Sequence, residues 1–409
     1  MIFKNLFKHD WDWSVDWDNI LKIPQFAKLR ETPQSKTWHQ EGNCWKHTIL
    51  VTDTLRKILQ QYDISEGSDM WIMCMSAAIC HDLGKGESTK FSIEKDDWVT
   101  KNHGVIGERI TRKLFHDEDI VLREKVCYMV RHHMVLHHVL DNNKDTDFIL
   151  TKLSHGIVPI KFMMMLNDAD SLGSINEFDT IETICDKHNK LLSFYFKLCC
   201  YDNPCCLNNK SHLIRKFINC NGEVINDKNE FCVYIMVGFP GCGKSTIIER
   251  YLPNITVISR DKIRCELGIN GATNENQKKV IGTKKEEDTV SDIFNKKMID
   301  CCKNKESFIL DNTNLKYHYR KDYLLKIMKY NPIVKIIYIE APNSIESCIK
   351  RREGEIPISV YDRMEKNFDF PQLYECNELF LYKEHNDRED KIYLFDSKNS
   401  TVYEKSKFN

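Results

Sequence analysis

Hydrophobic and polar positions follow two different rhythms along this chain. From His47 to Tyr62, the apolar residues Ile49, Leu55, Ile58, Leu59 and Tyr62 recur at helical spacing with charged residues between them, the pattern of a helix with one buried face. Met70 to Cys80 is apolar on nearly every side and predicts a buried central helix. The glycine of His81-Asp82-Leu83-Gly84 reads as its terminator. Alternating β-branched runs are few over the first two hundred residues, so this part reads as helix after helix. Asn, Asp, Gly and Pro then gather between about Tyr201 and Glu230, notably in Asp202-Asn203-Pro204 and from Asn219 to Asn229, as at a domain boundary or exposed connection. Beyond it the period changes. Phe231 to Val237 is a short continuous apolar strand, followed by a glycine loop and a helix from Ser245; Ile255–Ile258, Phe308–Leu310 and Ile333–Ile339 are further strands with helical segments between them. Strands alternating with helices predict a parallel sheet covered on both faces. The expected architecture is therefore two domains: an all-α helical domain over residues 1–205, a linker over 206–230, and an α/β domain with a parallel sheet over 231–409.

Composition narrows the picture only slightly. A chain of 409 residues is long for one core and comfortable for two. Lys and Arg total 59 against 60 Asp and Glu, so any contact with a polyanion must come from a local groove rather than the overall field. The locally basic run Lys316, Arg320, Lys321, Lys326 and Lys329 reads as a solvated helix face. Seventeen cysteines invite a disulfide framework, but Met1 to Ile20 carries Asp10, Asp12, Asp16 and Asp18 among tryptophans and has no apolar signal core. No apolar stretch reaches membrane-spanning length. A cytoplasmic protein with reduced thiols and no membrane partner is expected. The doublets Cys199-Cys200 and Cys205-Cys206 lack the spacing of a zinc site. The tryptophans between Met1 and Trp38 either pack on the helical domain or stack bases; packing is the commoner use.

The strongest chemical signal is Gly238-Phe239-Pro240-Gly241-Cys242-Gly243-Lys244-Ser245-Thr246, a complete phosphate-binding loop between a strand and a helix. Gly238, Gly241 and Gly243 let backbone amides, including those of Cys242 and Thr246, turn toward phosphate oxygens, and the helix start adds its dipole. Lys244 would reach the β- and γ-phosphates of ATP or another nucleoside triphosphate, and Ser245 would ligate Mg²⁺. Asp261 follows the strand ending at Ile258, so it faces the phosphate crevice and can take a proton from an attacking hydroxyl. Arg264, one helical turn on, can pair with an acceptor phosphate. Asp311, at the end of the Phe308–Leu310 strand, can position Mg²⁺-bound water or hold that arginine; capping of the next helix by Asp311 or Asn312 is the plainer alternative. Lys350-Arg351-Arg352-Glu353-Gly354 can close over the triphosphate, and either Arg351 or Arg352 can deliver a guanidinium to the transferring group.

Histidines and aspartates in the helical part form a second, distributed signal. His47, His81-Asp82, His103, His133 and Asp170 occur in order on successive predicted elements. Adjacent His81 and Asp82 can approach one ion at a helix end, with His47 and Asp170 completing it. His103 and His133 can hold a second, giving one or two divalent ions, transition metal or Mg²⁺, for phosphoester hydrolysis. Lys85 can steady the substrate phosphate. His137, His138 and His155 stay unassigned.

These elements resemble the HD superfamily of metal-dependent phosphohydrolases, from about His47 to Gly173: an early His, His81-Asp82-Leu83-Gly84-Lys85, a later His-x-x-x-Gly, a penultimate His and Ala169-Asp170-Ser171-Leu172. The stretch from about Phe231 to Phe370 is similar to the phage-type polynucleotide 5′-kinases, through its P-loop, Arg260-Asp261-x-x-Arg264, Asp311-Asn312-Thr313-Asn314 and the arginines before Ile356-Pro357. Together they resemble the HD-domain polynucleotide kinase-phosphatase family. That resemblance implies a bifunctional end-healing enzyme: ATP-dependent phosphorylation of 5′-OH ends of RNA or DNA, and metal-dependent removal of 2′,3′-cyclic, 2′- or 3′-phosphate ends. No Lys-x-Asp-Gly ligase motif is visible, so sealing would fall to a separate ligase. The alternatives are a nucleoside, nucleotide or metabolite kinase joined to an HD nucleotidase, and a non-catalytic binding protein; oligomeric state is not specified by the sequence.

Overall fold

The structure is a computed structural model that describes residues 1–9, 11–137, 149, 152–153, 155–178, 180–200, 210–218, 220, 230–269, 283–341, 344–353, 355–384 and 390–408. Two compact units emerge, Met1–Asp202 with Asp396–Val402, and Asn203–Phe395 with Tyr403–Asn409. Cys205, Cys206, His138, Gly354 and most of the 201–230 boundary lie outside the described residues, as do the side chains of Cys199 and Cys200. The described cysteines are free thiols. No described helix is long and apolar enough to cross a membrane.

The first unit opens with short helices α1 (Trp17–Ile20) and α2 (Pro24–Ala27), then α3 (Cys44–Gln61) and α4 (Asp69–Cys80). Asn43 caps α3 by accepting from the Lys46 amide at 3.0 Å, and Ser68 caps α4 by accepting from Trp71 at 3.2 Å; each satisfies an amide that has no partner within the helix. Trp71 through Cys80 are all buried, as the all-round apolar pattern requires; each large side chain contributes about 1.5–3 kcal/mol. Met70, expected inside, is exposed at the start of the helix. The turn after α4 leads to α5 (Lys85–Ser88), a small hairpin of β1 (Thr89–Ser92) and β2 (Asp97–Thr100), and then α6 (His103–Leu114), α7 (Ile120–His132), α8 (Ile160–Gly173) and α9 (Ile181–Cys200). Helix α3 packs on α4 and α8, α7 on α4 and α6.

Gly84 is not the left-handed helix terminator anticipated from its position. Its φ is −68°, a value open to any residue, and its role is contact: a Cβ there would lie 2.0 Å from the His103 carbonyl oxygen and 2.7 Å from the Gly107 amide nitrogen. Absence of a side chain lets α6 lie directly against the turn that carries His81 and Asp82. A buried ion network holds α6 to α7, with Arg112 Nη2 2.8 Å from Glu124 Oε2 and 3.0 Å from Glu108 Oε1, and Arg131 Nη1 2.6 Å from Glu108 Oε2. Of the four N-terminal tryptophans two pack, Trp13 edge-on to Trp71 at 5.6 Å and Trp17 edge-on to Trp45 at 5.2 Å, while Trp11 and Trp38 are exposed.

Beyond the boundary the chain continues through α10 (Lys210–Ile218), β3 (Cys232–Val237), α11 (Lys244–Tyr251), β4 (Thr256–Ile258), α12 (Arg260–Glu266), α13 (Lys284–Asn304), β5 (Phe308–Asp311), α14 (Tyr317–Ile327), β6 (Ile333–Ile339), α15 (Ile345–Arg351), α16 (Ile358–Lys366), β7 (Glu378–Lys383), β8 (Lys391–Asp396) and β9 (Thr401–Lys405). Part of the stretch expected as a connection, Lys210–Ile218, is helical, and Arg215 donates to the Met328 carbonyl at 3.1 Å. The sheet runs β4-β5-β3-β6-β7-β8-β9. Its first five strands are parallel and β7 pairs with β8 antiparallel, so the expected parallel sheet gains an antiparallel flank. Continuous apolar strands suit this centre: β3 is buried from Val233 to Val237 and β6 from Val334 to Ile339, covered on both faces. The basic run on α14 contains one exception to its solvated reading. Arg320 is fully buried, with Nε 2.7 Å from Glu375 Oε2 and Nη1 3.0 Å from the Asn314 and Asp369 carbonyls, because a guanidinium can fill five hydrogen-bonding positions and a lysine cannot.

Candidate functional site

Two separate sites are built from these elements. In the helical unit, α3 supplies His47, the turn after α4 supplies His81 and Asp82, α6 starts at His103, His133 follows α7, and α8 supplies Asp170. Asp82 stands between two halves. Its Oδ2 is 3.7 Å from His47 Nε2 and 3.4 Å from His81 Nε2. Its Oδ1 is 3.6 Å from His103 Nε2 and 3.9 Å from His133 Nε2. Asp170 Oδ1 closes the first half, 2.9 Å from His47 Nε2 and 3.7 Å from His81 Nε2. In the second half the Nε2 atoms of His103 and His133 face each other at 3.0 Å.

Backbone carbonyls set the direction of two imidazoles. His81 donates from Nδ1 to the Ala78 carbonyl and His133 from Nδ1 to that of Val130, each at 2.7 Å. Each ring therefore turns the lone pair of Nε2 inward, the tautomer a metal requires. His47 has Nδ1 3.1 Å from Glu41 Oε1, a carboxylate doing the same service. Burial pushes His103 down to about 4 and holds His133 well below its ordinary value, so both stay neutral. For His47 burial opposes the charge, but hydrogen bonds to Asp170 and Glu41 raise it to about 9. Burial would also raise both aspartates. Lys85 and His81 instead hold Asp82 well below the carboxylate range, and hydrogen bonds from His137 and His47 do so for Asp170.

A cation fits this arrangement. His47, His81 and Asp82, and again Asp82, His103 and His133, each offer ligand atoms lying within 4.8 Å of one another. His81 Nε2 and Asp82 Oδ1 are buried with no hydrogen-bond partner among the described residues, a cost that a bound ion removes. Lys85, expected to meet a substrate phosphate, is instead buried with Nζ 2.8 Å from Asp82 Oδ2 and 2.8 Å from Gln34 Oε1. A lysine so close to a buried carboxylate neutralises that carboxylate first.

The second site lies at the carboxyl end of the parallel strands, where such sheets bind ligands. Gly241 and Gly243 have φ of +81° and +97°, the left-handed region that favours glycine. A Cβ on Gly241 would also approach the Cys348 carbonyl oxygen to 2.6 Å. The turn opens onto α11, whose first residues include Lys244 and the exposed Ser245 and Thr246. Lys244 Nζ donates to the Gly238 and Phe239 carbonyls at 3.0 and 2.9 Å. The strand end after β5 pins the loop: Gly238 donates to the Thr313 carbonyl at 3.0 Å and Asn314 Nδ2 to the Met236 carbonyl at 2.8 Å. Neither Asp311 nor Asn312 caps α14, whose N-cap is Lys316. Burial raises the Asp311 carboxyl while Lys244 and Lys262 oppose that rise and Asp261 adds to it, so these four charges share one neighbourhood.

Asp261 lies in the first turn of α12 with an exposed side chain. Arg264 Nη1 is 2.7 Å from Asp261 Oδ1, and its Nε and Nη2 grip Glu287 at 2.8 Å each. The arginine anticipated as an acceptor-phosphate partner is thus held between two carboxylates. Arg351 pairs with Glu384 at 2.9 and 3.0 Å and comes 3.5 Å from the Gly241 carbonyl. Arg352 pairs with Glu355 at 2.6 Å, and its Cγ lies 3.2 Å from the position of a Gly241 Cβ. Both arginines therefore flank the loop.

Comparison with known proteins assigns both units. Residues 44–149 match the HD domain family model and residues 233–371 the AAA domain model. The chain carries an HD domain of the metal-dependent phosphohydrolase type followed by a kinase-like P-loop domain. It is also similar to the Multifunctional CCA protein of Psychromonas ingrahamii, 27% identical over 161 residues, which are 37% of this chain and 35% of that protein; the chain thus spans about a third of that relative's length. The HD match implies divalent metal binding and the P-loop match nucleotide binding. Asp170 lies beyond the HD match, yet α8 brings it to 2.9 Å from His47.

Four participants escaped sequence reasoning. Glu41 and Gln34 precede α3 in an irregular segment, where no periodicity marks a residue as inward. Glu287 sits 23 positions from Arg264, and only its place in the first turn of α13 hinted at it. His137, left unassigned, has Nε2 3.0 Å from Asp170 Oδ2; its position four residues after His133 was the available signal.

Proposed function

We propose that this protein heals nucleic-acid ends, its P-loop domain transferring the terminal phosphoryl of ATP to a 5′-hydroxyl and its HD domain removing 2′,3′-cyclic, 2′- or 3′-phosphates. The observation that carries the kinase half is Asp261: an exposed carboxylate at the carboxyl edge of the sheet, fixed by Arg264 and electrically coupled to Asp311 beside Lys244. An exposed base accommodates a bulky acceptor such as a strand terminus. In the reaction Asp261 accepts the proton of the attacking hydroxyl. Arg264, anchored by Glu287, keeps that carboxylate oriented. Lys244 leaves the loop carbonyls to meet the β- and γ-phosphates, and Arg351 or Arg352 supplies positive charge to the moving phosphoryl group. Mg²⁺ beside Ser245 and Asp311 would neutralise the triphosphate.

For the HD half, His47, His81, Asp82 and Asp170 would hold one divalent ion, and His103 and His133 with Asp82 a second. Ions there supply Lewis-acid polarisation of a phosphoester. Lys85 keeps Asp82 anionic, Glu41 orients His47, and His137 stands at the half-buried edge beside Asp170. A separate ligase would complete the repair.

Labelled ATP and a 5′-OH oligonucleotide test the first half, and an oligonucleotide ending in a 2′,3′-cyclic phosphate tests the second. Label should reach the oligonucleotide, Asp261→Asn should stop transfer and spare phosphate removal, and Asp82→Asn should do the reverse. Transfer to a free nucleoside in preference to any oligonucleotide would replace this reading with a small-molecule kinase.

A further inference from the structure

Trp38 and Phe178 are two of several exposed aromatic side chains, Trp11 and Phe91 among the others, and they stand out by their tie to the metal-ligand cluster. Phe3, Phe7 and Trp71 are buried and Trp13 and Trp17 lie against buried aromatic rings, but Trp38 is 52% exposed and Phe178 53%. Their rings lie 5.0 Å apart at 42°, a tilted pair open to water. Two large aromatic rings side by side in water make a contiguous apolar patch, which marks a binding surface more often than a single scattered ring does.

The pair is held in place and tied to the metal-ligand cluster. Gln40 donates its amide to the Ile175 carbonyl at 2.8 Å, and Asn176 Nδ2 reaches the Trp38 carbonyl at 3.5 Å. Phe178 donates its amide to Asn176 Oδ1 at 2.8 Å, and Thr183 Oγ1 donates to the Phe178 carbonyl at 3.1 Å. Glu41 joins this scaffold to the cluster: its Oε2 accepts from the Ile175 amide at 3.0 Å while its Oε1 meets His47 Nδ1 at 3.1 Å. Trp38 also directly precedes His39, whose Nδ1 is 2.8 Å from the same Oε1. One carboxylate thus fixes both a ligand imidazole and the segment that presents the aromatic pair.

We infer that Trp38 and Phe178 form a stacking platform for the base of the nucleotide whose phosphate is processed at the His/Asp cluster. This rests on the phosphohydrolase half of the proposed function and adds its substrate-positioning element. A flat π surface accepts any base without hydrogen-bond readout, so the platform selects nucleotides over other phosphoesters while tolerating sequence. Its occupant is a nucleobase rather than a protein surface, because the scaffold couples the pair through Glu41 to the phosphate-handling histidine.

Calorimetric titration of the metal-loaded full chain with adenosine 3′-monophosphate and, separately, with inorganic phosphate reads this directly. Trp38→Ala and Phe178→Ala should each weaken the nucleotide about tenfold, leave inorganic phosphate within about twofold, and leave kcat for 3′-phosphate removal near wild type while KM rises. Trp38→Phe should restore most of the nucleotide affinity. Equal weakening of nucleotide and phosphate would mean that the pair only braces Glu41, and no change in either would make it a surface for another partner; both results overturn the inference. If wild-type protein hydrolyses nucleotide 3′-phosphates but the variants behave normally, the platform alone fails. If wild type hydrolyses no nucleotide phosphate, the parent reading fails and the platform with it.

Discussion

Replacing Gly84 by alanine adds one methyl group at the point where the HD domain's metal-ligand turn meets α6. The added Cβ would sit 2.0 Å from the His103 carbonyl oxygen and 2.7 Å from the Gly107 amide, against an ordinary carbon–oxygen contact of about 3.3–3.6 Å. Backbone must therefore retreat by more than about 1 Å, and no flexible side chain can absorb the shift. Overpacking of this kind costs roughly 1–3 kcal/mol, and a contact against backbone belongs in the upper half of that range. For a domain of this size that is a fall in Tm of about 4–12 °C. The effect on metal should be larger than the effect on folding, because His103 and Asp82 lie on opposite sides of the clash and metal sites tolerate only about 0.2 Å. Gly86→Ala is the control. Its Cβ makes ordinary contacts with the flexible Lys28 side chain at 3.4 and 3.5 Å and with Leu29 Cδ2 at 3.8 Å, and alanine favours helix over glycine by about 0.8–1.0 kcal/mol, so Tm should hold or rise. The assay is thermal melting with and without chelator, alongside elemental analysis of dialysed protein. A Gly84→Ala protein that melts like wild type and carries the same metal would refute the account of this turn.

Other perturbations test separate links. Asp82→Asn should abolish chelator-sensitive stabilisation, since the residue serves both halves of the cluster; metal retained at wild-type stoichiometry would show that Asp82 is no ligand. Arg112→Met removes one guanidinium from a buried network in which Glu108 keeps Arg131 and Glu124 keeps Arg123, and should cost about 1.5–3 kcal/mol, measured by urea unfolding; a loss under about 0.5 kcal/mol would contradict the buried-network reading. Asp168 accepts from His188 at 2.5 Å and raises its pKa despite partial burial. Protonated His188 is therefore favoured in the folded state, and the pair stabilises fully below about pH 6.5 and loses that contribution as pH rises through the higher folded-state pKa. The Tm gap between wild type and His188→Gln should narrow from pH 6 to pH 9; a gap independent of pH would assign the contact to packing alone.

Local pattern was enough for whatever depends on local spacing. The all-round apolar run before Cys80 meant a buried helix, the switch after Glu230 meant strands alternating with helices, and the P-loop carried its own geometry in the identity of Gly241, Gly243 and Lys244. The late strands β7 to β9 went unread: β7, though mostly buried, lies in a run with no helical alternation around it, and Tyr393 and Tyr403 alternate with charges too weakly to mark a strand. What the tertiary structure alone decided is who meets whom. Asp82 faces two groups of histidines because Gly84 lets α6 lie against the turn. Glu41 reaches His47 from an irregular segment, Glu287 grips Arg264 from another helix, and Arg320 leaves its basic neighbours to bury itself against Glu375. Helical and strand periods are set by neighbours three or two residues away, so one sequence suffices to show them. A pairing between residues far apart in the chain depends on how whole elements pack, and packing is settled only when every buried face and charge is satisfied together.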